Sequence, residues 1–435
     1  MKDKRVVLLV FSFVFNFFVF AQNPIIDTSG ISDPHVRVFN DTIYLYSGHD
    51  DTPNDKLWVM KDWRVFSTTD LLNWRHRTTI GPKHNYMDDN SFDCWASDAG
   101  SRNGKYYFYF SDKKRGVGVM TSNSPVGPFI DELGKPLVSP MHDPTIFSDD
   151  DKNKIPYILY GDKEGGGFHL SKLNNDMISL SEEPRPIKIS GKEWEQAPRW
   201  MDKSYLFKRN ETYYLSWGRD YATSTNIYGP YKSIGALGNG HNLNELAHGS
   251  FFNWKGQFYH VWCYYIRPGY KYRETIISYC HIDEHGRLHT DTNFLDHHFK
   301  NGVGQYNASW DKIEAEWFYE KIGELKKESR KKKEFVISHF KNKTGLRFAN
   351  MTFDKVYHKF VTNISFKGEN GVLEIRSHTP NGELLGQLEL KCSNNSETFH
   401  KTQCDISVSK GVKDIFLIYK GSKKTNLKLD WFKFE

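Results

Sequence analysis

The chain has 435 residues, enough for two folded domains, and its five cysteines contain no Cys-x-x-Cys spacing, so the sequence gives no support to a thiolate zinc site. Its net charge of +6 is unevenly spread: residues 311–435 hold 24 Lys/Arg against 17 Asp/Glu, whereas residues 23–310 are slightly acidic. That asymmetry points to an anionic partner for the rear part, and nothing in the sequence points to nucleic acid.

In chain order, the first element is a charged MKDKR followed by the apolar run VVLLVFSFVFNFFVFA, ending at Ala21. A charged start, an apolar stretch and a small residue at the end predict a signal peptide over 1–22 and an exported protein, periplasmic or secreted. No later segment is apolar enough to span a bilayer. In an exported chain, Cys392 and Cys404 are candidates for a disulfide across two strands.

From residue 32 one pattern recurs five times: a polar lead residue, a short apolar strand, a polar turn and an aromatic strand. The copies are SDPHVRVFNDTIYLY led by Asp33, SDAGSRNGKYYFYFS led by Asp98 and HDPTIFSDDDKNKIPYILYG led by Asp143. MDKSYLFKRNETYYLSWG led by Asp202 and AHGSFFNWKGQFYHVW led by His248 complete the series. The turns are hairpin chemistry, and further strand signals lie between the copies, two of them ending in Gly-Pro-aromatic at Gly127 and Gly229. About four strands per unit, repeated five times, predict an all-β chain with a five-bladed propeller over 23–310.

In a propeller the first strand of each blade lines the central channel. The five lead residues are therefore expected to form a ring at one mouth. Four carboxyl groups converging there would repel one another, so a site explains them better than stability does, although Asp also caps turns. Separated carboxylates in a shallow funnel suit glycosidic bond hydrolysis, with one acid protonating the leaving oxygen and one carboxylate activating water. Trp and Tyr near the channel, Trp95 among them, suit the apolar faces of sugar rings. No GxSxG, HExxH or phosphate-loop pattern competes.

These motifs resemble glycoside hydrolase family 43 over roughly residues 30–305, most strongly at SDPHV, CWASD with RNGKYYFYF, and HDPTIF. The resemblance implies a five-bladed propeller and single-displacement inversion without a catalytic cofactor. By it, Asp33 would be the general base, and Asp143 would orient the acid and raise its pKa. His248 would match a His that holds a central water or cation, and Arg273 an Arg near the sugar subsite. Asp98 and Trp95 are assigned to substrate binding. The family's acid is usually Glu, six residues before the Lys of a KRNGxYYL-type hairpin; here that position is Asp202. Glu195, in WEQAPRW, has the family's residue type, so both stay candidates, with register favouring Asp202.

The rear part, 311–435, opens with KIEAEWF and closes with LDWFKFE, and its alternating strands predict a β-sandwich. It resembles carbohydrate-binding module family 6. That resemblance implies a structural calcium held by Glu314, Glu316 and Asp430. The basic stretch ELKKESRKKKEF, from Glu324 to Phe335, is the sharpest charge feature. The expected substrate is a plant or algal polysaccharide or oligosaccharide, neutral or anionic. Expected activities are β-xylosidase or α-L-arabinofuranosidase, with exo-β-1,3-galactosidase as the alternative enzyme. A non-catalytic glycan-binding propeller is the alternative outside the enzymes.

Overall fold

A computed structural model describes residues 23–27, 30–54, 56–148, 154–162, 167–191, 202–237, 248–267, 269–331, 334–391 and 396–435. The first blade is an antiparallel sheet of β1 (Ile31–Phe39), β2 (Thr42–His49), β3 (Trp63–Thr68) and β4 (Arg75–Ile80). The second contains β5 (Cys94–Arg102), β6 (Lys105–Asp112) and β7 (Gly116–Ser122). Only single bridges at Ile130 and Val138 stand where a fourth strand was expected. The third holds β8 (Met141–Phe147), β9 (Tyr157–Asp162), β10 (Gly167–Lys172) and the short β11 (Arg185–Pro186). The brief β12 (Ile189–Ser190) then pairs in parallel with the outer strand of the fourth blade. That blade is β13 (Ser204–Arg209), β14 (Thr212–Trp217), β15 (Asp220–Ser224) and β16 (Tyr231–Ala236). The fifth is β17 (His248–Trp254), β18 (Gln257–Tyr265), β19 (Arg273–Ile282) and β20 (Leu288–Thr290).

Aromatic and branched residues alternate along these strands and fill the gaps between neighbouring blades. Trp63, Phe108 and Phe110 pack the first blade on the second, and Tyr109, Ile146 and Tyr160 the second on the third. Leu159, Leu170 and Leu215 join the third to the fourth, and Phe207, Phe251 and Trp262 the fourth to the fifth. The ring closes where Val36 N–H donates to Ser250 Oγ at 2.8 Å. Asn23 reinforces the closure by exchanging two hydrogen bonds with the backbone of Ile277.

The rear domain has two packed layers. One contains Gly345–Phe353, Gly411–Gly421, Gly371–Ser377 and Leu384–Leu390; the other contains Ser396–Val408, Tyr357–Lys367, Asn426–Phe434, Glu334–Ser338 and Lys326–Lys331. Phe348 against Phe432, with ring centroids 4.7 Å apart, shows the layers interdigitating. The sandwich expectation therefore holds, but its boundary moves forward, because Tyr306–Asn307 already pairs with Gly345–Phe353. One apolar cluster runs from Ile277 and Phe294 through Trp317 and Phe318 into the sandwich, so the two domains share a core.

Cys94, Cys263, Cys280 and Cys404 are free thiols. The pairing expected of Cys404 is not formed in the structure, and Cys392 lies outside the described residues. So do the predicted signal peptide and Glu195. Among the described residues no helix is long and apolar enough to cross a membrane.

Candidate active site

Both Asp-Pro motifs sit on strand irregularities. The β1–β2 register shifts between Ser32 and His35, and the β8–β9 register between His142 and Thr145. Proline has no N–H to give a ladder, so Pro34 and Pro144 are tolerated at such bulges. The bulge also turns the preceding Asp: Asp33 and Asp143 have φ of +48° and +51°, a left-handed conformation in which Asp is over-represented among non-glycine residues. Both side chains are thereby aimed at the channel mouth.

Asp33 is 4% exposed and firmly held. Arg273 Nη1 donates to its Oδ1 at 2.6 Å, and His248 Nδ1 lies 2.8 Å from the same oxygen. Burial alone would raise the Asp33 pKa. Arg273 and His248 outweigh it and hold the carboxyl well below the usual carboxylate range. Burial disfavours a charged His248, but Asp33 and then Asp143 overcome this and raise its pKa. Arg273 is fixed from behind by Asp50, which accepts from Nε and Nη2 at 2.9 Å each and from the Arg273 backbone N–H at 2.8 Å. Arg273 is therefore 6% exposed, with its guanidinium held between Asp33 and Asp50.

Asp143 connects the Asp33 side of the mouth to the Asp202 side. Its N–H donates to Ser111 Oγ at 2.7 Å, and its Oδ2 accepts from the backbone N–H of Lys203 at 2.7 Å. The Asp143 carboxylate thus grips the peptide that follows Asp202. The Asp202 side chain is 33% exposed. Burial raises its pKa; Lys203 opposes this, and Asp143 adds to it. The geometry brings Asp33, Asp143, Asp202 and His248 to one mouth.

Asp98 lies deeper than the predicted ring position. It is five residues ahead of its hairpin turn at Asn103, whereas Asp33 is seven ahead of Asn40. Its side chain is fully buried, and Arg37 Nε donates to it at 2.9 Å, the Ile146 N–H at 2.7 Å and the Ala99 N–H at 2.8 Å. Burial is again overcome by charge, here by Arg37 and His35, leaving a pKa of about 2. This correction makes Asp98 a bracket of the channel wall with no surface for substrate. The β5 irregularity, between Cys94 and Ser97, puts Trp95 in the register of Asp33. The Trp95 ring is half-buried at the mouth, edge-on to Trp58 at 6.3 Å and to His142 at 6.2 Å. Sequence reasoning missed Asp50, Trp58 and the Arg37–Asp98 pair. The HDD after β2 was the one local signal for Asp50.

In the rear domain, Glu314, Glu316 and Asp430 line one cavity together with Lys312 and Arg330. The strand pairing of Glu314 with Trp431 brings the two ends of the domain side by side. Lys312 ion-pairs with Glu314, and Arg330 Nη1 with Asp430 at 2.6 Å. Among the described residues no three His, Cys, Asp or Glu side chains are arranged to hold a metal ion as they stand. Yet Glu316 Oε2 is buried without a hydrogen-bond partner, and burial followed by the charge of Glu314 drives its pKa well up. Hard oxygens under such mutual repulsion are the donor chemistry a calcium ion relieves.

Residues 21–288 match the family model described as glycosyl hydrolases family 43, and residues 317–435 match carbohydrate binding module (family 6). An arabinoxylan arabinofuranohydrolase of Bacillus subtilis is 25% identical over 500 residues, covering 95% of this chain and 92% of its own. A xylosidase/arabinosidase of Bacteroides ovatus is 27% identical over 256 residues, 48% of this chain and 78% of its own. Among solved structures, the Bacillus subtilis family 43 arabinoxylan arabinofuranohydrolase in complex with cellotetraose superposes with a TM-score of 0.53 at 22% identity. It covers 95% of this chain and 97% of that one and supports the fold.

Proposed function

The chain belongs to glycosyl hydrolases family 43, whose members are inverting glycosidases, and on that premise we propose an exported, exo-acting hydrolase of the xylosidase or arabinofuranosidase type, acting on a plant or algal polysaccharide. The observation that carries the reading is a pair of carboxyl groups at one mouth whose pKa values are moved in opposite directions, Asp33 down and Asp202 up. The protonated Asp202 gives its proton to the glycosidic oxygen as the bond to the anomeric carbon breaks. Water attacks that carbon from the opposite face and loses its proton to the ionised Asp33. One displacement inverts the anomeric configuration. Asp143 keeps Asp202 protonated by its charge and in place through the Lys203 N–H. Arg273, fixed by Asp50, keeps Asp33 ionised and aimed. The half-buried rings of Trp58 and Trp95 are suited to the apolar face of a sugar. The arabinoxylan and xylose-type relatives and the family 6 module support the choice of substrate class. In the rear domain, calcium held by Glu314, Glu316 and Asp430 would contribute rigidity and no chemistry.

Release of reducing sugar from a panel of purified plant and algal polysaccharides tests the activity, and none from any of them would leave the glycan-binding alternative. The acid is tested by kcat/KM on an aryl glycoside and on a natural oligosaccharide. Asp202→Ala should lose far more on the oligosaccharide, whose leaving group needs a proton. If Glu195→Ala shows that dependence and Asp202→Ala does not, Glu195 is the acid.

A further inference from the structure

The start of the basic stretch singled out in the sequence faces the propeller. Leu325, Lys326 and Lys327 line a cavity of about 350 Å³ between the rear domain and the underside of the fourth and fifth blades, within the size range of small-molecule sites, ~300–1,000 Å³. The propeller contributes Arg209, Gln257 and Phe258, and Lys321 adds a further cation. This face is opposite the mouth: β17 begins at His248 in the active site and ends at Trp254 beside the cavity, about 20 Å of strand at ~3.3 Å per residue.

Four cations line the cavity and no carboxylate does. Among the described residues none of the four is in an ion pair. Lys321 donates to the Leu325 carbonyl at 3.3 Å, and Arg209 reaches Asn253 Oδ1 at 3.4 Å and stacks over Phe258. Lys327 Nζ donates to Gln257 Oε1 at 2.7 Å and to His281 Nδ1 at 2.8 Å. His281 is fixed as an acceptor on that side because its Nε2 faces Asp291 Oδ2 at 2.9 Å. An ammonium has three N–H groups, so one remains for a ligand. Burial pushes the Lys327 pKa down to about 8, with Glu316 opposing, and burial lowers that of Arg209. Four cations around one cavity with no carboxylate in its lining make a positive field that favours an anion there. The rings of Phe258 and Phe318 beside them offer an apolar wall.

We propose that this interdomain cavity is a second glycan site, taking a sugar unit that carries an oxyanion, either a sulfate ester or a uronate carboxylate. It rests on the proposed function only for the sugar; the oxyanion follows from the four cations. Such a site anchors a charged polysaccharide on the face away from the channel.

The test uses the full-length protein and isothermal titration with sodium sulfate, glucuronic acid, a sulfated monosaccharide and neutral xylose, at constant ionic strength set by sodium chloride. Glucuronic acid and the sulfated sugar are expected to bind at least tenfold more tightly than inorganic sulfate, and xylose not to bind at this site. Arg209→Gln with Lys326→Gln, both at exposed positions, should weaken the charged sugars at least tenfold and leave hydrolysis of an aryl glycoside unchanged. Lys327→Met is a second variant with the same expectation. Binding unchanged in the double variant, or absent in the wild type, overturns the proposal. Sulfate binding as tightly as the sugars overturns its sugar part. Failure of the glycosidase reading shows instead as absent hydrolysis with the titrations intact.

Discussion

Replacing Asp33 with Asn removes the charge of the proposed base and keeps its shape. Asn also tolerates the left-handed φ of +48° found there, so no backbone strain is added. Two contacts change: Arg273 Nη1 at 2.6 Å and His248 Nδ1 at 2.8 Å lose a charged acceptor. Removing one partner of a buried ion pair ordinarily costs ~3–5 kcal/mol because the other charge is stranded. Arg273 is not stranded, since Asp50 still accepts from its Nε and Nη2 at 2.9 Å. The cost should therefore be about 1–2 kcal/mol, a few degrees in Tm. Catalysis loses far more. A missing general base takes away ~10²–10⁴-fold, and about 10³ corresponds to roughly 4 kcal/mol of barrier. The assay is kcat/KM on an aryl glycoside beside a thermal melt of the same sample. A variant keeping a tenth of the wild-type activity refutes the assignment. A drop in Tm beyond about 10 °C refutes the argument that Asp50 keeps Arg273 satisfied. The sign with pH gives a further check. The Asp33 pKa is depressed on folding, so its stabilisation is present above the unfolded value of ~3.9 and is lost as pH falls. The stability gap between wild type and variant should shrink below about pH 4.

Because Asp202 is raised and Asp33 depressed, kcat/KM should fall on the alkaline side as the Asp202 proton is lost, with the acid limb below about pH 4. On an activated aryl glycoside Asp202→Asn should abolish the alkaline limb, and its persistence would assign that limb to another group. Arg37→Met removes the permanent cation from the buried Asp98 carboxylate, leaving it beside His35, whose own pKa burial lowers, and should cost ~3–5 kcal/mol in urea unfolding. Its acid unfolding should also begin at higher pH than in the wild type, where Asp98 stays ionised down to about 2, and identical urea midpoints would show that the bracket carries no stability. Excess EDTA should lower the Tm of the metal-loaded protein by several degrees and calcium should restore it, and a Tm indifferent to both removes the proposed ion.

What the sequence determined by itself was the local part of this protein. Alternating aromatic strands, two-residue turns and the recurrence of the whole unit are short-range patterns, and they were enough for five blades, a rear sandwich, and the positions of Asp33 and Asp143. Asp33 and Asp143 were readable as lead residues of the repeat; the bulge at each following proline, which turns the Asp toward the channel, came from the structure. Other features depended on which distant segments meet. Asp50 and Arg273 lie 223 positions apart, and Lys327 and His281 lie 46 apart, so no spacing rule connects them. Asp98 appeared equivalent to Asp33 as a lead residue. With two fewer residues before its turn than Asp33 it sits further down the strand, beside Arg37, and only the paired register revealed the difference. The basic stretch from Glu324 to Phe335 read as a charged surface until the rear domain was docked beneath the propeller. Lys326 and Lys327 then shared a cavity with Arg209, because charge is carried by residues whereas a binding site requires convergence in space.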